Sequence, residues 1–448
     1  MTALDDLLAR ELERFEQEHP RSRALAREAG RSLLAGVPMP WMIRWAGGFP
    51  VFAADAAGAR FRDVDGHEYV DFCLGDTAAM TGHSPEPTVR VVAEQARRGI
   101  TLMLPSEDAL WVGAELARRF GLPRWQFALT ATDANRFAIR LARELTGRPR
   151  ILVFNWCYHG SVDETFATLD GDGQVVAREG NVGPPVPLAE TTRVVEWNDV
   201  EALERELAHG DVACVLTEPA LTNIGIVLPK PGFHDALREV TRRTGTLLIV
   251  DETHTLCAGP GGYTAAHGLD PDVLTVGKAI AAGIPSAAYG FSEEVATRLE
   301  QLLPRDERAD VGGIGGTVAA NVLSLAAMRA TLAEVLTDEA FERMISLGER
   351  FEAGVSAAIE RHGLPWHVTR LGCRVEYLFR RERPASGAEA AAGADPELDR
   401  LIHLYALNRG ILLTPFHNMA LMSPATTKAD VDLHTSVFDE AARELANA

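Results

Sequence analysis

Two side chains stand where chemistry could begin. Asp251 closes the apolar run Leu247-Leu-Ile-Val, and Lys278 follows a second run, Val273-Leu-Thr-Val, after a single glycine; 278 − 251 = 27 residues separate them. Each has a plain structural reading, as a loop-capping carboxylate or a surface lysine at a strand terminus. The composition weakens the second. Of 44 lysines and arginines only Lys230, Lys278 and Lys428 are lysine. Arginine stays protonated, so a chain that otherwise uses it as the generic cation has kept an amine at this strand end. Desolvation at a sheet edge lowers a lysine's pKa and favours the neutral, nucleophilic amine.

A third segment adds an anion site. Thr130-Ala-Thr-Asp-Ala-Asn lies between an apolar run and the helical stretch Ala134–Glu144. Small hydroxylated residues at a helix N-terminus present free N–H groups and the positive end of the dipole, which suits a phosphate. The plain alternative is a helix cap, with Thr132 or Asp133 as the capping residue. A Schiff-base amine beside a carboxylate is the arrangement of pyridoxal 5′-phosphate (PLP) chemistry, in which the acid keeps the pyridine nitrogen protonated.

These residues must be positioned by a sheet. Short apolar runs (Phe127-Ala-Leu, Ile151-Leu-Val-Phe, Val212-Ala-Cys-Val-Leu, Leu247-Leu-Ile-Val, Val273-Leu-Thr-Val) alternate with helical stretches. Most are continuous rather than alternating, as in strands buried on both faces, and the order implies a mostly parallel α/β sheet. Ligands of such sheets bind beyond the carboxyl ends of the strands, where Thr130, Tyr158, Glu218, Asp251 and Lys278 all fall. Before this region, Leu4, Leu7, Leu8, Leu12 and Phe15 mark an amphipathic helix, and the stretch around Asp65-Gly66 marks a hairpin. Long helices are expected over 318–362, then a broken α+β region, with the Ala/Gly-rich stretch Pro384–Pro396 as a flexible loop. The chain thus divides into an N-terminal segment (1–80), a large PLP-binding domain (81–330) and a C-terminal small α+β domain (331–448).

Composition excludes other classes. The net charge is −19, against a nucleic-acid partner, which needs a basic face. No apolar run reaches the roughly 18 residues of a membrane span. The N-terminus is charged from Asp5 and lacks the apolar core of a signal peptide, so a cytoplasmic location is expected. Five scattered cysteines, never spaced CxxC, argue against a disulfide framework or a zinc site.

Seven motifs in order carry a resemblance. Gly82-His-Ser-Pro85, Thr130-Ala-Thr-Asp-Ala-Asn135, Tyr158-His-Gly160, Glu218-Pro, Asp251-Glu-Thr253, Pro271-Asp-Val-Leu-Thr-Val-Gly-Lys278 and Gly316-Thr317 resemble the GHxxP, SGTEAN, YHG, EP, DEV, PDxxxxGK and GT motifs of class III aminotransferases. The branch it resembles is that of glutamate-1-semialdehyde aminomutase and the β-amino-acid and amine transaminases, whose EPxxxNxG is matched by Glu218 to Gly225. The sequence departs from the pattern in an early proline, in Thr-Ala-Thr for Ser-Gly-Thr, and in Thr253 for Val. His254, next in line, is expected to be a packing residue, with a cofactor neighbour as the alternative.

The resemblance implies a fold-type I PLP-dependent transferase, with a smaller α+β domain built from both termini. It implies Lys278 as the aldimine lysine and proton shuttle, and Asp251 as partner of the pyridine nitrogen. Thr130, Ala131 and Thr132 would hold the phosphate, Tyr158 and Thr253 would face the ring, and Asn223 would reach its hydroxyl, with Glu218 among the cofactor contacts. Thr317 would act across the subunit boundary of a homodimer with shared active sites. In the branch's carboxylate-binding arginine positions stand Trp41 and Phe416, with Arg44 three residues after Trp41 as a candidate cation. Aromatic side chains there give apolar area and stacking in place of a bidentate grip. The expected function is therefore transfer of an amino group from a hydrophobic, aryl-bearing amine or amino acid to a keto acid. The alternatives are a glutamate-1-semialdehyde-type aminomutase, a β-amino-acid aminotransferase, and a catalytically inert PLP-fold protein.

Overall fold

A computed structural model describes residues 3–302 and 312–447. The chain forms two compact units. The larger comprises Glu86–Phe341 and Pro384–Ala392; the smaller comprises Met1–Pro85, Glu342–Arg383 and Gly393–Ala448.

The larger unit holds a seven-stranded sheet. Its strands are β1 (Arg124–Ala128), β2 (Arg150–Phe154), β3 (Thr192–Val195), β4 (Val212–Thr217), β5 (Leu247–Asp251), β6 (Val273–Val276) and β7 (Ala287–Phe291). The order is β1-β7-β6-β5-β4-β2-β3. β6, β5, β4, β2 and β3 pair in parallel, with Ile249 opposite Val273 and Leu216. β7 is antiparallel to both β6 and β1, so β1 runs with the rest and β7 alone is reversed. Every residue of β4 and β5 is buried, which is why their sequences read as unbroken apolar runs. β7 reads Ala-Ala-Tyr-Gly-Phe, too rich in small residues to announce a strand.

Helix α1 (Ala131–Thr146) follows β1. Its cap is Thr130, whose hydroxyl accepts the Asp133 N–H at 3.2 Å, so Thr132 and Asp133 lie inside the first turn rather than capping it. The expected long helices form as Val322–Ala330 and Asp338–Arg361, joined by a π turn at Thr331–Val335. The expected loop at Pro384–Pro396 is in part a helix, Gly387–Ala391. Ser386 caps it, and a Cβ on Gly387 would collide with the Asn155 backbone.

The smaller unit draws on both ends of the chain. Arg60–Asp63 and Glu68–Asp71 form the hairpin around Asp65-Gly66, and Ile411–Leu412 adds in parallel beside Val70 and Asp71. The amphipathic helix Ala3–Glu18 buries Phe15 against Phe61, Tyr69, Leu404 and Leu407. A second sheet joins His367–Leu371, Arg374–Leu378 and Met419–Leu421. Among the described residues no helix is long and apolar enough to cross a membrane.

Candidate active site

Because six strands of the large sheet point one way, the residues following β1, β2, β4, β5 and β6 reach one edge. There the structure gathers Thr130–Thr132, Tyr158–Gly160, Glu218, Asp251–His254 and Lys278.

Asp251 is the centre. It is 4% exposed, and its Oδ2 accepts the Asn135 amide at 2.8 Å and lies 3.0 Å from His159 Nδ1. Its Oδ1 accepts the Thr253 N–H at 3.0 Å. Burial alone would raise this carboxyl, but the His159 ring, the Thr253 N–H and the Asn135 amide outweigh it and hold it well below the ordinary range. Burial likewise opposes charge on His159, yet Cys157 and Asp251 raise the ring above the usual imidazole value. Asn135 is itself fixed: it donates to the His159 carbonyl at 3.1 Å and accepts from Thr275 at 2.7 Å. His159 and Asn135 were inside recognised motifs, but the sequence alone gave neither a contact with the acid.

Lys278 follows β6 with φ 52°, a left-handed conformation uncommon for a side-chain-bearing residue. The preceding Gly277 lies against helix α1, where an added Cβ would stand 3.2 Å from that of Ala131. The Lys278 amine lies 3.0 Å from His254 Nε2. His254 is buried, as a packing residue would be, and its ring also meets the amine.

The loop after β2 closes over helix α1. The Thr132 hydroxyl accepts the Ser161 N–H at 3.0 Å, and Gly160 (φ 76°) comes so near that a Cβ there would overlap Thr132. By helix geometry the first-turn N–H groups of Ala131 and Thr132 have no intrahelical acceptor. Glu218 accepts the Tyr158 N–H at 3.4 Å and the Thr222 hydroxyl, and burial raises its pKa. Asn223 donates to the Trp156 carbonyl at 3.3 Å. Two buried polar atoms in the cluster, His159 Nε2 and Thr253 Oγ1, make no hydrogen bond.

Four candidates from the sequence remain. Thr317 is exposed, beside a cavity of about 390 Å³ that Leu102, Met103, Tyr289 and Asn321 also line. Trp41, Arg44 and Phe416 belong to the smaller unit. There Trp41 and Phe416, from opposite ends of the chain, meet edge to face with centroids 5.4 Å apart. Arg44 is exposed and ends the short 3-10 turn that carries Trp41.

A buried acid, a strand-end amine, open first-turn N–H groups and orphaned buried polar atoms suit a phosphorylated heteroaromatic aldehyde such as PLP. Comparisons with known proteins agree. The chain is 32% identical over 444 residues to the glutamate-1-semialdehyde 2,1-aminomutase of Chloroflexus aggregans, covering 96% of this chain and 99% of that one. It superposes with TM-score 0.97 on a glutamate-1-semialdehyde aminomutase of Pseudomonas aeruginosa PAO1, crystallised in complex with PMP, at 54% identity over 99% and 98% of the two chains. A β-phenylalanine aminotransferase of Variovorax paradoxus superposes with TM-score 0.86 at 28% identity, over 98% and 97%. The aminomutase alternative is thus better supported than transfer from an aryl-bearing amine. The profile of the family described as aminotransferase class-III matches residues 42–441, and the chain belongs to that family of PLP-dependent, fold-type I enzymes.

Proposed function

We propose that this protein is a PLP-dependent aminomutase of the glutamate-1-semialdehyde type, moving an amino group between adjacent carbons of one small substrate. The observation that carries the reading is the 54% identity, end to end, with a protein of that name. The gathering of Asp251 and Lys278 at one sheet edge supplies the groups such chemistry needs. When bound, PLP supplies an aldehyde for amine capture and a ring that takes up an electron pair.

This chain's residues would do the rest. The Asp251 carboxylate, kept ionised by Asn135, Thr253 and His159, would hold the proton on the ring nitrogen. The Ala131 and Thr132 N–H groups and the Thr130 hydroxyl would hold the phosphate. Tyr158 and Thr253 would face the ring and Asn223 its hydroxyl, with Glu218 holding the Tyr158 backbone. The Lys278 amine would carry the proton between substrate and cofactor carbons. Thr317 would serve a partner subunit in a homodimer; exposed Leu102, Met103 and Leu104 near it offer apolar surface for that contact.

A second reading, amino transfer from a hydrophobic amine to a keto acid, is favoured by the Trp41–Phe416 pair. One assay separates them: the enzyme is given glutamate 1-semialdehyde, or an arylalkylamine with a keto acid. The aminomutase reading expects fast isomerisation and slow amine turnover. The opposite ranking replaces it with the second reading.

A further inference from the structure

We infer that His19, Asp63 and His67 form a divalent-metal site in the smaller unit, suited to zinc, that pins the N-terminal hairpin to the junction of the first two helices. The inference goes beyond the aminomutase reading and does not depend on it.

Two elements carry the three side chains. His19 sits between the helices Ala3–Glu18 and Pro20–Ala29. Asp63 and His67 face each other across the hairpin turn: the Asp63 N–H donates to the His67 carbonyl at 3.0 Å, and Asp63 Oδ1 accepts the His67 N–H at 2.8 Å. The tip of the turn ties the two elements together. Asp65 accepts the Arg21 N–H at 2.7 Å, the Ser22 N–H at 2.9 Å and the Ser22 hydroxyl at 2.7 Å. Held in this way, one ligand atom from each of His19, Asp63 and His67 lies within 4.8 Å of the other two. Asp63 Oδ2 is 3.5 Å from His19 Nε2 and 3.0 Å from His67 Nδ1. Tetrahedral zinc, with bonds of about 2.0–2.1 Å, sets its donors about 3.3–3.4 Å apart. His19 and Asp63 are each 1% exposed, whereas His67 is half-buried, so an ion and a water ligand can enter from the His67 side.

A count of hydrogens shows that the cluster lacks a cation. His19 Nδ1 lies 2.8 Å from the Phe15 carbonyl, which only accepts. Nδ1 therefore carries the hydrogen, and Nε2 of the neutral ring presents a lone pair. A backbone carbonyl on the second ring nitrogen is also the outer contact a ligating histidine uses. The Tyr69 hydroxyl lies 2.7 Å from Nε2 and 2.9 Å from Asp63 Oδ2, and it has one hydrogen for two acceptors. Whichever it serves, a buried acceptor is left unmet. A metal bound to Nε2 and Oδ2 removes the conflict, because the Tyr69 hydrogen then goes to the remaining lone pair of Asp63. His67 joins by carrying its hydrogen on Nε2, which frees Nδ1 to ligate. Asp63, Asp65 and Glu18 all act on the Tyr69 hydroxyl with negative charge. Two imidazoles beside one carboxylate suit zinc and its first-row neighbours rather than magnesium or calcium. The absence of a cysteine zinc motif does not bear on this ligand set, which contains no cysteine.

The test uses the full-length holoenzyme, stripped of metal with a chelator and dialysed. Zinc is titrated into it in a calorimeter at neutral pH, and melting temperatures are read with and without the ion. Zinc should bind at one site per chain and raise the melting temperature, since an ion that binds only the folded state stabilises it. Magnesium at the same concentration should leave the melting temperature unchanged. His67→Gln, at a half-buried position, should keep native circular dichroism and bind zinc on the order of a hundredfold more weakly, because even the loss of an outer contact costs about 10–100-fold. His19→Gln should weaken zinc binding as much; if that buried change prevents folding, His67→Gln decides the matter. Lack of zinc binding by the unsubstituted chain, equal stabilisation by magnesium, or unchanged zinc affinity in His67→Gln overturns the inference.

Discussion

The Asn135 amide lies 2.8 Å from the Asp251 carboxylate, so the helix whose first turn is proposed to hold the phosphate also fixes the acid. Asn135→Ala removes a donor from Asp251 and the acceptor of the buried Thr275 hydroxyl. Leaving such groups unsatisfied costs about 1–3 kcal/mol each. Urea unfolding should show a loss on the order of 2 kcal/mol or more, and PLP titration a weaker affinity.

Gly160 has no room for a side chain. A methyl group there would meet the Thr132 hydroxyl and force alanine to hold φ 76°, which costs about 1–2 kcal/mol before the clash. Gly160→Ala should displace Thr132 from the first turn of helix α1. Affinity for free pyridoxal phosphate should fall, while affinity for pyridoxal without phosphate should change little. Equal losses for both would disconnect this contact from phosphate binding.

The smaller unit carries a buried ion pair. Arg374 and Glu376, each about 1% exposed, lie 3.3 Å apart, and Glu376 Oε1 is 3.2 Å from His417 Nδ1. Burial would raise this carboxyl, but His417 and Arg374 outweigh it and lower it. Glu376→Leu takes the carboxylate from a buried guanidinium and should cost on the order of 3–5 kcal/mol. Arg374→Met added to Glu376→Leu should restore much of the loss, because no buried charge is then left behind. Chemical denaturation of the two variants checks this.

Asp399 gives a pH dependence of known sign. Burial raises its carboxyl from 3.8 to about 6, against the Asn418 amide that donates to it at 2.7 Å. Between these pH values the folded chain binds a proton the unfolded chain has lost, so this group adds stability as pH falls from about 6 toward 4. Above 6 the ionised carboxylate costs about 3 kcal/mol. Asp399→Asn should be more stable at pH 7 and should lose the gain between pH 7 and 5, as read from melting temperatures. An unchanged difference between the two pH values would refute the assignment.

How much of this could be read from the residues follows from where their contacts lie. Lys278 and Asp251 were legible because each ends a continuous apolar run, and a run buried on both faces fixes where its last residue emerges. The helix starts at Ala131 rather than Ala134 because the Thr130 hydroxyl accepts the Asp133 N–H, a capping bond that the apolar pattern does not display. The reversed strand Ala287–Phe291 carries two alanines and a glycine whose added Cβ would meet the Trp125 ring, so its sequence follows from packing no periodicity displays. His254 is ambiguous in the sequence because a histidine between two threonines reads the same whether it packs against the protein or neighbours a cofactor. Within Pro384–Pro396, whose glycine and alanines read as a loop, the Ser386 cap makes Gly387–Ala391 a helix, with Gly387 against the Asn155 backbone.

The small parallel strand Ile411–Leu412 has a consequence for biosynthesis. It completes the sheet begun by Glu68–Asp71, pairing Ile411 with Val70 across 411 − 70 = 341 residues. At a ribosomal rate of about 5–20 residues per second, the N-terminal hairpin waits roughly 20–70 s for its last strand. During that interval Val70 and Phe72, fully buried in the finished protein, have no complete core to enter, and the strand edge beside them is open. The nascent chain therefore exposes an unpaired edge throughout the synthesis of the segment between Asp71 and Ile411.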